Sequence, residues 1–157
     1  MDRNKTAKEK EEDYNNLLRE EYVKRILADG FEILEPEGNE LLIDLDTPEQ
    51  IRMFHSQYEM LERNMCDECY PLAKFIWPSR GGNGEHVYIA MDFNMTPGER
   101  IAFQAALGSD PKRELLSLIR FKKGDIKPTI LVEVPGMWPQ ENIKIARRMS
   151  IKYTDGQ

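Results

Sequence analysis

The segment LLIDLDTPEQ, residues 41–50, decides the fold, because it predicts a buried strand that passes directly into a helix. Carboxylates interrupt the apolar run only at Asp44 and Asp46, and Pro48 stands at an early helical position where its missing N–H is harmless. Side chains two residues apart in a strand share a face, so both carboxylates should project the same way. Such carboxylates repel each other unless a cation lies between them, and hard oxygen ligands suit Mg²⁺ or Mn²⁺.

A second interpretation of the same segment involves no ligand. Asp46 directly precedes Thr47 and Pro48, so its side chain is placed to cap the N-terminus of the predicted helix. An Asp-x-Asp pair at the end of a strand is compatible with both roles, and only residues farther along the chain can separate them.

The pattern of apolar residues and turn signals predicts an α+β domain. Strands are predicted over residues 31–34, 41–46, 72–77, 86–91 and 129–134, and helices over residues 5–29 and 140–149 and from Thr47, Thr96 and Ser109 onward. From residue 41 to residue 134, with the helices that begin at Thr96 and Ser109 counted as one unit, this order gives the split β-α-β-β-α-β arrangement of ferredoxin-like and RNA-recognition-motif-like folds. We therefore expect an antiparallel sheet with helices on one face and the other face free for a ligand.

The bulk composition limits the class of protein. With 157 residues, 40% of them hydrophobic, the chain predicts a charged N-terminal helix over residues 1–30 and one globular unit over residues 31–157. The net charge of −6 argues against a generic basic coat for nucleic acid. No apolar run is long enough to span a membrane, and the charged residues 1–13 do not resemble a signal peptide, so we expect a cytoplasmic protein.

The two cysteines, Cys66 and Cys69, form a C-x-x-C motif. A structural zinc site needs four ligands, and the sequence contains no second cysteine pair. We expect two reduced thiols near a loop, with a zinc site completed by a partner chain as the alternative.

A glycine-rich loop, PSRGGNGEH over residues 78–86, joins two predicted strands. Its glycines permit positive φ and a close backbone approach to a ligand, and exposed N–H groups beside Arg80 can hold phosphate. Ser79 opens the loop, and His86 begins the next strand. An ordinary hairpin with a structural histidine is the alternative interpretation.

Glu133 lies inside the apolar segment TILVEV, residues 129–134. A carboxylate in such a strand must face solvent, a cation or a basic partner, because burying it unpaired is costly. The predicted topology can bring Glu133 near Asp44 and Asp46, where three carboxylates would share two metals for phosphoryl chemistry. An exposed strand position is the alternative.

Taken in order, these motifs resemble those of the archaeo-eukaryotic primase superfamily, which includes primase small subunits and primase-polymerases. The matches are Ile43-Asp44-Leu45-Asp46, then Ser79 with His86, then Val132-Glu133, and they cover residues 40–135. Glu133 stands where the family has Asp, and the spacer between Ser79 and His86 is longer than the shortest family form. Residues 100–114 also look like primase-like small proteins of phages and mobile elements.

The resemblance implies a role for each matched residue. Asp44, Asp46 and Glu133 would bind Mg²⁺ or Mn²⁺, while His86 and Ser79 would contact the phosphates of an incoming nucleotide. The three arginines Arg80, Arg113 and Arg120 are candidates for further phosphate contacts. His86 would thus join the two aspartates in the catalytic group.

We therefore expect a metal-dependent nucleotidyltransferase of the primase-polymerase type, or a subunit of one, from a phage or mobile element. Its ligands would be nucleoside triphosphates and a single-stranded DNA or RNA template, with a replication protein as a possible partner. Two alternatives stay open: an inactive primase-like module that binds nucleic acid or a protein, and a regulatory or anti-defence protein that binds a nucleotide without turning it over.

Overall fold

The computed structural model describes residues 6–64 and 71–154, and in these ranges the chain forms five helices and five strands. In chain order they are α1 Ala7–Ala28, β1 Glu32–Leu34, β2 Glu40–Leu45, α2 Pro48–Asn64, β3 Pro71–Pro78, β4 Glu85–Met91, α3 Pro97–Ala106, α4 Pro111–Lys122, β5 Leu131–Glu133 and α5 Gln140–Thr154. The α+β class and the N-terminal helix are confirmed. The predicted loop thiols, Cys66 and Cys69, lie outside the described residues.

The central sheet has the strand order β2-β4-β3, and both pairings are antiparallel. β2 and β3 therefore run parallel on either side of β4, with α2 as the crossover between them, which is the split β-α-β unit. In this register His86 of β4 lies opposite Asp44 of β2 and Trp77 of β3. The predicted glycine-rich hairpin joins β3 to β4 and brings its loop to the same end of the sheet.

The last strand departs from a single four-stranded sheet. β5 pairs antiparallel with β1 in a separate two-stranded sheet, where Glu32 lies opposite Glu133. A further strand in the ferredoxin-like order would have to pair with the outer edge of β2.

Side chains and loop backbone from α3 and α4 already occupy that edge. The N–H of Leu42 donates to Gln104 Oε1 at 2.9 Å, and Arg113 Nη1 donates to the Leu42 carbonyl at 2.5 Å. Farther along, the N–H of Asp110 donates to the Asp44 carbonyl at 2.7 Å. Since the edge groups of β2 are satisfied in this way, β5 forms its ladder with β1 instead.

Both faces of the central sheet are covered. On one face Leu41, Ile43 and Leu45 pack against α2 through Phe54 and Tyr58. The opposite face also carries a buried apolar core, so it differs from the open face that the sequence predicts. Its buried members come from β1, β2, β3, β4, β5 and α5: Leu34, Leu42, Trp77, Tyr88, Ala90, Leu131, Ile143 and Ala146.

Local helix signals match the predicted starts. Thr96 and Glu99 form a capping box at α3, and the Asp110 side chain accepts the Arg113 N–H at the start of α4. None of the helices within residues 6–64 and 71–154 has the length and apolarity that crossing a membrane requires.

Candidate metal centre

Three carboxylates converge where β2 ends. Asp44, Asp46 and Asp110 each offer an oxygen, and these oxygens all lie within 4.8 Å of one another. The N–H···O bond from Asp110 to the Asp44 carbonyl ties the start of α4 to the strand, so the cluster is built into the fold. Three carboxylate ligands at this spacing fit the hard-oxygen preference of Mg²⁺ or Mn²⁺.

Gln50 of α2 connects two members of this cluster. Its Oε1 accepts the Asp46 N–H at 2.8 Å, and its Nε2 donates to Asp110 Oδ1 at 3.2 Å. The N–H of Gln50 donates to the Thr47 hydroxyl at 3.1 Å, so Thr47 makes the capping bond that the alternative interpretation gave to Asp46. The Asp46 carboxylate is therefore available to the cluster.

The pKa shifts show how the carboxylates affect one another. Partial burial and the neighbouring Asp44 and Asp110 raise the pKa of Asp46 above its ordinary value. Burial by itself would raise the pKa of Asp44, but a hydrogen bond to His86 and the positive charges of His86 and Arg113 outweigh it and lower that pKa. A bound cation would relieve the repulsion from Asp44 and Asp110 that contributes to the raised pKa of Asp46.

His86 lies between two acids. Its Nε2 is 3.4 Å from Asp44 Oδ1, and its Nδ1 is 2.5 Å from Glu133 Oε1, while Trp77 Nε1 donates to Glu133 Oε2 at 2.9 Å. Burial would lower the pKa of His86, but the hydrogen bonds and charges of Asp44 and Glu133 raise it to about 9. These two acids therefore favour the protonated form of the ring, which faces the carboxylate cluster.

The predicted metal role of Glu133 needs correction. Glu133 is only 1% exposed, its two oxygens contact His86 and Trp77, and the imidazole ring separates it from Asp44. The reason is topological. β5 pairs with β1, and this pairing places Glu133 at the Nδ1 side of His86, whereas Asp44 lies at the Nε2 side. Asp110 supplies the third carboxylate instead, and its only signal in the sequence is the Ser109-Asp110-Pro111 helix start. The geometry therefore leaves Glu133 outside the cluster of Asp44, Asp46 and Asp110, and its burial excludes the exposed strand position.

A cleft of about 560 Å³ opens beside the cluster. Seven of the residues that the sequence nominates for the site line it: Asp44, Asp46, Ser79, Arg80, His86, Arg113 and Arg120. Tyr22 lines it as well, and the sequence analysis did not connect Tyr22 with the site. No pattern in the sequence indicates that α1 contributes to this cleft, because that contact depends on tertiary packing.

Ser79 has a structural part in the loop. Its hydroxyl accepts the Gly84 N–H at 3.1 Å, and its own N–H donates to the Gly84 carbonyl at 3.0 Å. A Cβ on Gly84 would overlap the Leu45 carbonyl oxygen, so only glycine allows the loop to lie against the end of β2. These contacts hold the loop beside the carboxylates.

The arginines of the cleft differ in their partners. Arg113 donates to the Leu42 and Ile130 carbonyls, at 2.5 and 3.1 Å, so backbone contacts occupy much of its guanidinium. Arg80 lies 4.9 Å from the centre of the Phe31 ring, and Arg120 lies 5.9 Å from that of Tyr22. Both side chains are exposed, and neither forms an ion pair with a carboxylate in the described part of the chain.

Comparisons of the chain with family models, with curated proteins and with solved structures give no match. The geometry of the cleft therefore carries the functional argument.

Proposed function

We propose that the protein is a metal-dependent nucleotidyltransferase of the primase-polymerase type, or a subunit of one, that holds Mg²⁺ or Mn²⁺ at Asp44, Asp46 and Asp110. The observation that carries this proposal is the convergence of these carboxylates beside His86 in a cleft with exposed arginines. The resemblance to the primase superfamily suggests the reaction class, and a cluster of three carboxylates supports the metal site that this reaction requires.

Each group near the cluster has a chemical task in this proposal. A divalent cation held by Asp44, Asp46 and Asp110 would lower the pKa of an attacking hydroxyl and would neutralise the charge of the departing pyrophosphate. His86, whose Nδ1 contacts Glu133 and whose Nε2 contacts Asp44, contributes positive charge beside the phosphates, and the exposed Arg80 and Arg120 bind phosphate oxygens. The cationic ring and the two arginines balance the negative charge that a triphosphate brings to the carboxylates.

The ligands we propose are nucleoside triphosphates together with a single-stranded DNA or RNA template. A replication protein as partner, a cytoplasmic setting and an origin in a phage or mobile element belong to the same proposal. The exposed cations at the cleft support a polyanionic ligand although the whole chain carries a net charge of −6.

Calorimetric titration of Mn²⁺ with a nucleoside triphosphate tests this function, with wild type compared to Asp44→Asn/Asp46→Asn. A matched control is Glu59→Gln/Glu141→Gln, which also removes two carboxylates but at exposed helix positions that do not line the cleft. We expect metal-dependent binding in wild type and control and none in the aspartate variant. Primer synthesis with labelled nucleotides and Mn²⁺ should likewise be seen with wild type and the control and be lost in the aspartate variant. Equal nucleotide binding in all three proteins would contradict the proposal.

A non-catalytic binding module is the second candidate. The observation that favours it is that Ser79 and much of Arg113, two residues assigned to the nucleotide, bond to the protein itself. Such a module would bind single-stranded nucleic acid or a partner protein without a metal. Binding of a labelled oligonucleotide that persists in a chelator and in Asp44→Asn/Asp46→Asn would favour this candidate.

A further inference from the structure

A second, smaller pocket of about 210 Å³ lies between α1 and the C-terminal half of α4. We call it the α1–α4 pocket. Four residues line both this pocket and the cleft: Tyr22, Arg120, Pro128 and Ile130. The pocket and the cleft therefore adjoin each other along these residues.

The walls of the α1–α4 pocket combine an aromatic ring, two apolar side chains, four basic residues and one carboxylate, the charged ones being Arg19, Arg120, Lys123, Lys127 and Asp125. The Tyr22 side chain is 42% exposed, and the Arg120 guanidinium lies 5.9 Å from the centre of its ring. Pro128 and Ile130 form the apolar part. Flat aromatic surfaces with a nearby arginine are what single nucleobases stack on, and this recognition tolerates different bases.

Arg19 fixes the wall that α1 contributes. Its side chain donates to Glu35 at 2.7 Å and to the Lys127 carbonyl at 3.2 Å, and it lies 3.7 Å from Asp125. These bonds join α1 to the segment before β5, so the pocket is formed before any ligand arrives. Preformed pockets of this kind are the usual form of small-ligand sites.

The length of α4 sets the distance between the pocket and the carboxylates. Asp110 caps its N-terminus, and Arg113, Ser117 and Arg120 follow at steps of three to four residues and line the cleft. Residues so spaced share one helix face, and ten residues of helix rise about 15 Å. An extended nucleoside triphosphate has a similar length. Its phosphates can therefore lie at the Asp110 end of α4 while its base lies at the Arg120 end.

We propose that the α1–α4 pocket binds the nucleobase of a nucleotide whose phosphates face the carboxylate cluster. This inference rests on the proposed function and assigns the part of the nucleotide that the cluster does not contact. Tyr22 stacks on the base, and Arg120 lies between the base and the phosphates. The site then selects a nucleotide over a bare polyphosphate.

Calorimetry with Mn²⁺ tests the inference by comparing each of the four common nucleoside triphosphates with inorganic tripolyphosphate. The proteins are wild type, Tyr22→Leu, which keeps apolar bulk without a ring, and Tyr22→Phe, which keeps the ring. We expect at least one nucleotide to bind wild type and Tyr22→Phe roughly tenfold more tightly than tripolyphosphate, and Tyr22→Leu to lose this preference. Thermal melts of the apo proteins verify that both variants fold.

The outcomes separate the two proposals. Equal affinity for nucleotides and tripolyphosphate in wild type, or a nucleotide preference that survives in Tyr22→Leu, overturns the base pocket. In either case tripolyphosphate binding that requires Asp44 and Asp46 leaves the metal site standing. Failure of wild type to bind any of these ligands with Mn²⁺ overturns both proposals together.

Discussion

The carboxylates at the two ends of β2 differ in the partners that surround them. At one end Glu40, 0% exposed, accepts hydrogen bonds from the Tyr88 hydroxyl and the Glu37 N–H and forms a 2.9 Å ion pair with Arg147. At the other end Asp44 lies on the same face of the strand, where two further aspartates crowd it. The Glu40 end is a closed network, whereas at the Asp44 end three carboxylates lie together beside an open cleft, with His86 and Arg113 as the cations that act on Asp44.

The contrast shows how to tell a structural charge from a candidate functional one. A buried acid that serves the fold has its cation and its hydrogen-bond donors inside the fold, as Glu40 does. The pKa of Asp46 is instead raised by burial and by the neighbouring acids, and such perturbed groups in a cleft are typical of functional sites. Variants at the two ends should therefore respond differently to metal and to denaturant.

The largest effect should follow from opening the closed end. Arg147→Met leaves Glu40 buried without its cation, and we expect a loss of about 3 kcal/mol in the free energy of unfolding, measured in urea. The double variant Glu40→Gln/Arg147→Met removes the stranded charge and should recover part of this loss. A change within experimental error in Arg147→Met would show that the two ends do not differ as described.

The next effect concerns the open end, where Asp46→Asn should act in two directions. Without metal it removes repulsion among the three carboxylates, so we expect a slightly higher melting temperature than wild type. With Mn²⁺ at a hundredfold excess over its Kd, wild type should gain about 2–3 kcal/mol of stability, and the variant should gain little. Arg147→Met should keep the full Mn²⁺ response, and an equal response in Asp46→Asn would place the metal elsewhere.

Much of the fold follows from local sequence signals. The strand at residues 41–46, the helix starts near Pro48, Thr96 and Asp110, and the hairpin between β3 and β4 depend on apolar runs, caps and glycines that neighbouring residues determine. The α+β class and the antiparallel split unit were predictable for that reason.

The rest depends on contacts between residues far apart in the chain. Gln104 and Arg113 occupy the edge of β2, and nothing in their local sequence indicates that they displace a strand. The motif order led to Glu133 as third metal ligand, yet the pairing of β5 with β1 makes it a partner of His86. Asp110 carries a capping signal that is independent of its position beside Asp44, so its place in the carboxylate cluster could not be predicted.

An intermediate effect should come from Glu133→Gln, which tests the acid behind His86. The amide cannot accept hydrogen bonds from both His86 and Trp77 as the carboxylate does, so we expect a loss of about 1–2 kcal/mol in stability. The ¹⁵N resonances of the His86 ring and the Trp77 indole should shift, while the Mn²⁺-dependent stabilisation should persist. If Glu133→Gln abolished the Mn²⁺ response as fully as Asp46→Asn does, Glu133 would belong to the metal site.

The smallest effect lies at the rim of the closed network, where the Glu35 carbonyl accepts Arg147 Nη2 at 2.9 Å. Burial would raise the pKa of Glu35, but Arg19 and Lys127 outweigh it and hold it below its usual 4.5. A folded-state pKa below the unfolded one stabilises the protein above about pH 4.5, and this stabilisation disappears as the pH falls. Because the Glu35 side chain is 34% exposed, we expect it to contribute less than about 1 kcal/mol to the free energy of unfolding.

Urea unfolding between pH 7 and pH 3 measures this contribution. The free energy of unfolding should decline less steeply with falling pH in Glu35→Gln than in wild type. Glu59, which forms an exposed ion pair with Arg63, provides the control: Glu59→Gln should leave the pH dependence of the free energy of unfolding unaltered.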